Sequence, residues 1–374
     1  MIESVNRVLV SRSALAHNFS VCQQAAANRP VLAMVKADAY GHGMIECARV
    51  FARAGAAAFG VAEVVEGVRL RRAGQREPIF ILAGILPEFA DGIVQHRLTP
   101  VLVDTNALDV LDQAARKQDY VLDVHLKMDA GMGRQGILPH AIERAVQEIG
   151  RRKWLRLAGI MAHFPMADIP EKSSTSQVLA RFMDALEPVQ EHRDALCLHI
   201  ANSGGIFSFP KARLDMVRPG ISLYGYGAAP VTAKASGGEQ ALRPAMSFVS
   251  RVIQVREVPA GTGLGYGHSF VTTRKTRLAV LPVGYEDGYS RSLSNRAQVL
   301  LQGRRVPVVG RISMNLTLLD VTGVPDVQVG DRAVLMGSQG EECITADEIG
   351  AWMESISYEV LCLFGHCNQV EYIE

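Results

Sequence analysis

Val31-Leu32-Ala33-Met34-Val35-Lys36-Ala37-Asp38-Ala39-Tyr40-Gly41-His42-Gly43 places a single amine at the end of five consecutive apolar residues. A run of that length, rich in Val and Leu and followed by a glycine-bounded turn, reads as a fully buried strand. Apolar residues at helical spacing begin at Met44, so the expected unit is strand, tight turn, helix. In that unit the strand delivers Lys36 into a cleft, and Tyr40 lies one helical turn beyond it. A lysine capping an ordinary strand would lay its stem along the surface and keep its ammonium in water. The close pair Gly41 and Gly43, together with Tyr40, favours the cleft instead. There a desolvated lysine loses proton affinity and becomes usable as a nucleophile or base.

The alternation continues. Short apolar runs at 31–36, 57–61, 79–83, 99–103, 121–128, 157–163, 197–201 and 216–218 are separated by stretches of helical period. Met44, Cys47, Ala48 and Phe51 share one helical face, as do Leu108, Leu111 and Ala115, which follow the N-cap candidates Asp104-Thr105-Asn106. The link at 202–214 is too short for a full helix and predicts a single helical turn. Eight strand–helix units predict an α/β fold, a (β/α)8 TIM-type barrel with its working residues at the carboxyl ends of the strands. An open doubly wound sheet is the alternative, but it calls for a GxGxxG spacing that residues 38–43 lack. Around 228–243 the composition shifts to Ala, Pro, Ser and Gly, a linker. Beyond it, short β-branched runs at 248–255, 277–282, 298–301, 306–309, 315–321 and 332–336 read as antiparallel strands. One helix, 345–353, opens on the capping box Thr345-Ala346-Asp347-Glu348. The expected division is a barrel over 1–232 and a mainly antiparallel β domain over 233–374.

Of the 374 residues 48% are hydrophobic and 21% charged, and 39 basic against 38 acidic residues leave a net charge of +1. That balance gives no footprint for nucleic acid, and no run approaches the roughly 20 apolar residues of a membrane helix. The opening Met1–Arg7 has no signal-peptide core, so a cytoplasmic location is expected. Six cysteines without a close CxxC pair read as buried thiols of a reducing compartment; Cys362, His366 and Cys367 are the sole half-site, and no metal is expected. The strand ends carry costly polar residues: Lys127 and Arg134 around a glycine-rich turn, His163, Asn202-Ser203-Gly204-Gly205, and Arg218-Pro219-Gly220-Ile221-Ser222. One strand-end histidine is ordinarily a satisfied core residue; polar groups from five strands on one rim point to a site. The loops after the seventh and eighth strands of such barrels habitually cradle phosphate, and Ser203, Gly204, Gly220 and Ile221 fall there with small side chains and amides to offer. Phosphate plus amine points to a phosphorylated carbonyl cofactor, and pyridoxal phosphate is the commonest partner of a Schiff-base lysine.

The segment Val35–Gly43 resembles the pyridoxal-phosphate attachment motif of bacterial alanine racemases, and the resemblance runs along almost the whole chain. Segments 127–136, 217–225, 263–267 and 283–289 each resemble the family's pattern, in the same order. The resemblance implies a homodimer of barrel plus β domain acting on a small amino-acid substrate. It implies that Lys36 holds the cofactor through a Schiff base and serves as the base for the D enantiomer, with Tyr266 serving the L enantiomer from the opposite face. Tyr266, Tyr285 and Met314 would reach into the partner's active site. Tyr40, Ser203, Gly220, Ile221 and Tyr358 correspond to phosphate ligands, and His163 to a histidine that orients Arg218. Arg134 corresponds to the residue near the cofactor's phenolic oxygen and the substrate carboxylate, and Lys127 to a lysine that the family often carbamylates.

Arg218 corresponds to the group placed against the pyridine nitrogen. A second unit charge about 4 Å from a guanidinium costs on the order of 4 kcal/mol at an effective dielectric near 20, or about three pKa units. The ring therefore stays neutral and is a poorer electron sink, which discourages transamination. The chain departs from the family where Ser313-Met314-Asn315 puts an amide in place of a carboxylate, and in the tail 364–370. Asn315 raises the alternative of a serine or broad-specificity racemase. A non-catalytic pyridoxal-phosphate carrier is a third reading, against which the residues after the linker weigh, since such carriers lack a β domain.

Overall fold

Apolar runs buried along their whole length form the inner wall of a barrel. In the computed structural model, which describes residues 4–169, 173–227 and 241–374, seven strands pair in parallel and in sequence order. They are β1 (Leu32–Met34), β2 (Ala58–Val61), β3 (Ile79–Ile81), β4 (Thr99–Leu102), β5 (Leu122–Lys127), β6 (Leu155–Met161) and β7 (Cys197–His199). Every residue of β1, β2 and β3 is buried, because helices cover one side and barrel side chains fill the other. Closure comes from the eighth run, too short to be a regular strand. Val31 bridges Val217 and Asn202 bridges Arg218, both in parallel. The Leu32 and Arg218 amides donate to the Val217 and Ala201 carbonyls, each at 2.9 Å.

The helices follow the expected faces. Met44–Arg53 buries Met44, Cys47, Ala48 and Phe51, and Leu108–Lys117 buries Leu108, Leu111 and Ala115. The expected side-chain cap of the second does not form: Ala107 occupies the N-cap, and Asp104 accepts instead from the Asn106 amide at 2.8 Å. The short link after β7 carries Ser203–Ser208, capped by Asn202 Oδ1 on the Gly205 amide at 3.0 Å.

The turn after Lys36 differs from the expected one. Ala37, Asp38, Ala39 and Tyr40 have φ of 52°, 49°, 56° and 55°, a left-handed turn built without glycine. Each such residue costs about 1–2 kcal/mol, which no local preference in the sequence would lead one to expect.

Among the described residues, those of 15–39 and 44–243 make up one compact unit, and those of 4–14, 40–43 and 244–374 the other. In the second, the strand order is Arg304–Pro307, Gln298–Leu301, Arg332–Gln339, Met246–Arg251, Arg7–Ser11, Val370–Ile373. The N-terminal strand, placed with the barrel by the sequence reading, therefore lies in this sheet, antiparallel to Met246–Arg251 and parallel to Val370–Ile373. A three-stranded antiparallel sheet, Gln254–Val258, Thr276–Leu281 and Thr317–Asp320, stands beside it in the same unit. Helix Ala346–Met353 is capped by Thr345 Oγ1 on the Glu348 amide at 3.1 Å. A second helix, Ser357–Cys367, explains Gly41: a Cβ there would stand 2.3 Å from the Leu361 carbonyl oxygen. The expected boundary at 232/233 and most of the linker fall in 228–240, outside the described residues. Among those described, no helix is long and apolar enough to cross a membrane. The cysteines are free thiols; Cys22 and Cys47 are buried, but Cys367 is exposed, so burial is not uniform as expected.

Candidate active site

Lys36 sits half-buried at the carboxyl end of β1. The strand beneath it is pinned where the buried Tyr224 hydroxyl donates to the Met34 carbonyl at 2.7 Å. Glu66 takes the first amide of the left-handed turn: its carboxylate accepts from Ala37 at 2.7 Å, and from Ala62 and Glu63 at 2.8 and 3.1 Å. Asp38 Oδ1 accepts from the Met44 amide at 2.9 Å and starts the next helix.

Arg218 is buried, and its guanidinium donates to four acceptors. Nη1 donates to His199 Nδ1 at 2.9 Å; Nη2 donates to the Ala162 carbonyl at 2.7 Å, to the Ile200 carbonyl at 3.3 Å and to His163 Nδ1 at 3.5 Å. Burial brings its pKa down to about 9, which leaves it charged at neutral pH. The same guanidinium, after burial, is the largest influence holding His163 down to about 3. Lys127, on β5, donates to Gln135 Oε1 at 2.8 Å, and Gln135 in turn holds the Ala83 carbonyl. Burial, then Arg134, Arg218 and Lys36, lower Lys127 to about 8. These mutual influences bring Lys36, Lys127, Arg134, His163 and Arg218 to one rim. Arg134 is exposed on a loop that Asp129 organises by accepting the amides of Gly131, Met132, Gly133 and Arg134 at 2.8–3.0 Å. At the loops after β7 and the closing strand, buried Ser203 Oγ accepts from the Gly220 amide at 2.9 Å and the Ser222 amide at 3.3 Å, beside buried Ile221.

The other unit groups the remaining candidates in two places. Tyr40 and Tyr358 have ring centroids 5.9 Å apart. Met314 and Asn315 lie in one loop, 311–315, which the segments carrying Tyr266 and Tyr285 flank. Gly265 lies so close that a Cβ would meet the Arg311 backbone at 3.2 Å, and the Tyr285 amide donates to the Ser313 carbonyl at 3.2 Å. Tyr266 is 71% exposed, Met314 53% and Tyr285 43%, a cluster of large side chains without cover within their own unit. Asn315 Nδ2 donates to Glu286 Oε2, so its amide is turned toward a carboxylate of the same unit.

With this geometry in place, comparison with known proteins is specific. The alanine racemase N-terminal domain profile matches residues 10–228 and the C-terminal domain profile matches 245–372. The chain belongs to the alanine racemase family. The alanine racemase of Syntrophobacter fumaroxidans is 40% identical over 96% of this chain and 95% of its own. Among solved structures, the alanine racemase of Clostridium difficile superposes with a TM-score of 0.91 at 29% identity, covering 100% of this chain and 97% of that one. The alanine racemase of Bartonella henselae, described with covalently bound pyridoxal phosphate, has a TM-score of 0.89 at 26% identity, over 99% and 100% of the two chains.

For this alanine racemase family member, the donor set fits a phosphorylated aldehyde. The rim offers two amines, Lys36 and the Gln135-bound Lys127, a buried cation that only donates, and a serine hydroxyl gathering two amides. Ser222 Oγ, in the loop after the closing strand, is buried without a hydrogen-bond partner. Sequence reading did not single out Glu66, His199, His125 or Gln135. A capping-box carboxylate reaching a second strand end leaves no signal in its own segment. His199 closes β7 and His125 lies within β5, two residues before Lys127, both as ordinary inward positions.

Proposed function

We propose that this chain is a cytoplasmic, pyridoxal-phosphate-dependent alanine racemase. It works as a homodimer with composite active sites, interconverts L- and D-alanine by a two-base mechanism, and supplies D-alanine for peptidoglycan. Racemisation of alanine is the activity named for the relatives, and nothing in them favours serine racemisation or a carrier. The observation that carries the reading is Arg218: a buried guanidinium held by neutral acceptors at the rim that also presents Lys36. Bound pyridoxal phosphate supplies an aldehyde for an amine and a conjugated system that withdraws charge from the substrate's α carbon.

The chain's own residues do the rest. The Ser203 hydroxyl and the Ile221 amide offer donors to the phosphate, the Gly220 amide turns to it from Ser203 Oγ, and Tyr40 and Tyr358 add hydroxyls. Lys36 binds the aldehyde. Arg218 has no acceptor atom and stays charged, so it can donate to a ring nitrogen and never protonates it. His163 helps hold that guanidinium, and Arg134 and Met314 face the substrate, backed by Lys127, Tyr285 and Asn315. A racemase needs two bases, because a single base returns the proton to the face it came from. Lys36 moves the proton of the D enantiomer and Tyr266 that of the L enantiomer. The exposure of Tyr266 supports its completing the site of a second subunit.

The test is washing of solvent deuterium into the α position from each enantiomer, across alanine, serine and lysine. Alanine is expected to dominate kcat/KM, and Tyr266→Phe to abolish exchange that starts from L-alanine. Unimpaired L-alanine turnover in that variant would refute the two-base assignment.

A further inference from the structure

Behind Arg218 the barrel interior carries a line of polar rings that the proposed reaction does not use. Inward residues of alternate strands of such a barrel share a layer, ordinarily filled by Val, Ile and Leu. Here the layer holds Phe80 of β3, His125 of β5 and His199 of β7. Phe80 stands edge-on to His125 with centroids 4.8 Å apart, and His125 to His199 at 5.1 Å. His125 and His199 are buried, and His125 Nδ1 lies 3.0 Å from His199 Nε2. The room for His125 comes from β6, where a Cβ on Gly159 would stand 2.3 Å from His125 Cε1. On the far side, His125 lines a cavity of about 840 Å³ at the amino ends of the strands, together with Ala58, Thr99, Leu122 and Ala158.

The hydrogen bonds have one consistent direction. A guanidinium only donates, so His199 Nδ1 must accept from Arg218 Nη1. Neutral His199 then carries its proton on Nε2 and donates it to His125 Nδ1, which leaves the proton of His125 on Nε2. Burial holds both rings far below the ordinary histidine range, His125 at about 4, so both stay neutral as this order demands. A proton on His125 Nδ1 would oppose the His199 N–H and turn its lone pair away from Arg218.

We propose that His125 is a positioning residue for Arg218: through His199 it fixes the acceptor that holds the guanidinium, and so shapes the seat of the cofactor's ring. The proposal rests on reading Arg218 as the group that faces the cofactor. His125 touches no substrate, and its influence passes through a single hydrogen bond from His199.

The experiment uses the full chain labelled with 15N histidine and arginine, with and without pyridoxal phosphate. It compares wild type with His125→Asn, whose amide oxygen can replace the Nδ1 acceptor, and His125→Leu, which fills the space without one. In wild type, His125 Nδ1 is expected to be the unprotonated nitrogen. In His125→Leu the Arg218 guanidinium signals should broaden, with its rotation faster, and the cofactor dissociation constant should rise about tenfold. His125→Asn should restore both to near wild type. A protonated Nδ1 in wild type, unchanged guanidinium signals and cofactor affinity in His125→Leu, or an Asn variant no better than Leu each overturn the proposal. Because the wild-type nitrogen signals need neither substrate nor fold-perturbing substitution, they decide the hydrogen-bond order even if a variant unfolds. Wild type that binds no pyridoxal phosphate or racemises nothing would instead sink the functional reading and leave the signals of the line to be judged separately.

Discussion

Glu66 accepts the Ala37 amide at 2.7 Å, and with it the first donor of a turn whose four left-handed residues have no glycine among them. Replacing it by alanine orphans three amides near Lys36. Glu66→Ala is expected to cost about 1–3 kcal/mol of stability, to speed hydrogen exchange at Ala37 and Ala62, and to loosen cofactor binding, with Glu66→Gln recovering part of each. Protection at Ala37 that survives in the alanine variant would remove Glu66 from this role. Lys127 presents a second single-residue test. With its pKa down to about 8, about half of it is uncharged at pH 8, whereas a surface lysine titrates near 10.4. Competitive acylation with a small anhydride at pH 8 in the absence of cofactor should therefore modify Lys127 ahead of exposed lysines; denaturing first should abolish the advantage.

Packing of whole segments sets the presentation of Met314. Gly284 begins the turn that carries Tyr285, and Asp287 Oδ2 accepts its amide at 2.9 Å. A Cβ there would stand 2.2 Å from both the Ser313 and the Met314 carbonyl oxygens. Both are backbone, so Gly284→Ala must displace the 311–315 loop; overpacking of this kind costs about 1–3 kcal/mol. The expected result is a lower melting temperature and a raised KM with cofactor affinity retained. Within the barrel, His125 and His163 titrate at about 4 and about 3 against an ordinary 6.5. Their folded values are depressed, so the stability of keeping them neutral is complete above pH 6.5 and is lost as pH falls toward those values. The urea midpoint of the cofactor-free protein should drop between pH 6.5 and 4, and His125→Asn should flatten that slope. A midpoint constant over that interval in wild type would mean the imidazoles are better solvated than their burial implies.

The proposed composite sites make a prediction for the assembled molecule that no single protomer can satisfy. Lys36→Ala and Tyr266→Phe should each be nearly inactive in racemisation. When they are mixed and allowed to exchange subunits, half the dimers are hybrids, and each hybrid has one site with both native residues, so activity should return to about a quarter of wild type. Sites built from one subunit alone would give no recovery.

Hydrophobic patterning carried the barrel, its eight runs and the antiparallel sheets, because strand period and burial are local properties of the chain. The strand-end placement of Lys36, Lys127, His163, Ser203 and Arg218 was legible for the same reason: polar residues at the end of an apolar run are conspicuous. Three features were decided only in three dimensions. The left-handed turn at 37–40 exists because Glu66, on another strand–helix unit, takes its first amide, and Gly41 because Ser357–Cys367 passes within backbone contact. The N-terminal strand Arg7–Ser11 joined the C-terminal sheet because a strand's pairing partner is set by which edge it meets, information that its own five residues do not contain. The opening stretch thus fixed the amine and the strand that carries it, while the acceptors that hold Arg218, His199 and behind it His125, came from strands whose inward faces meet only once the barrel closes.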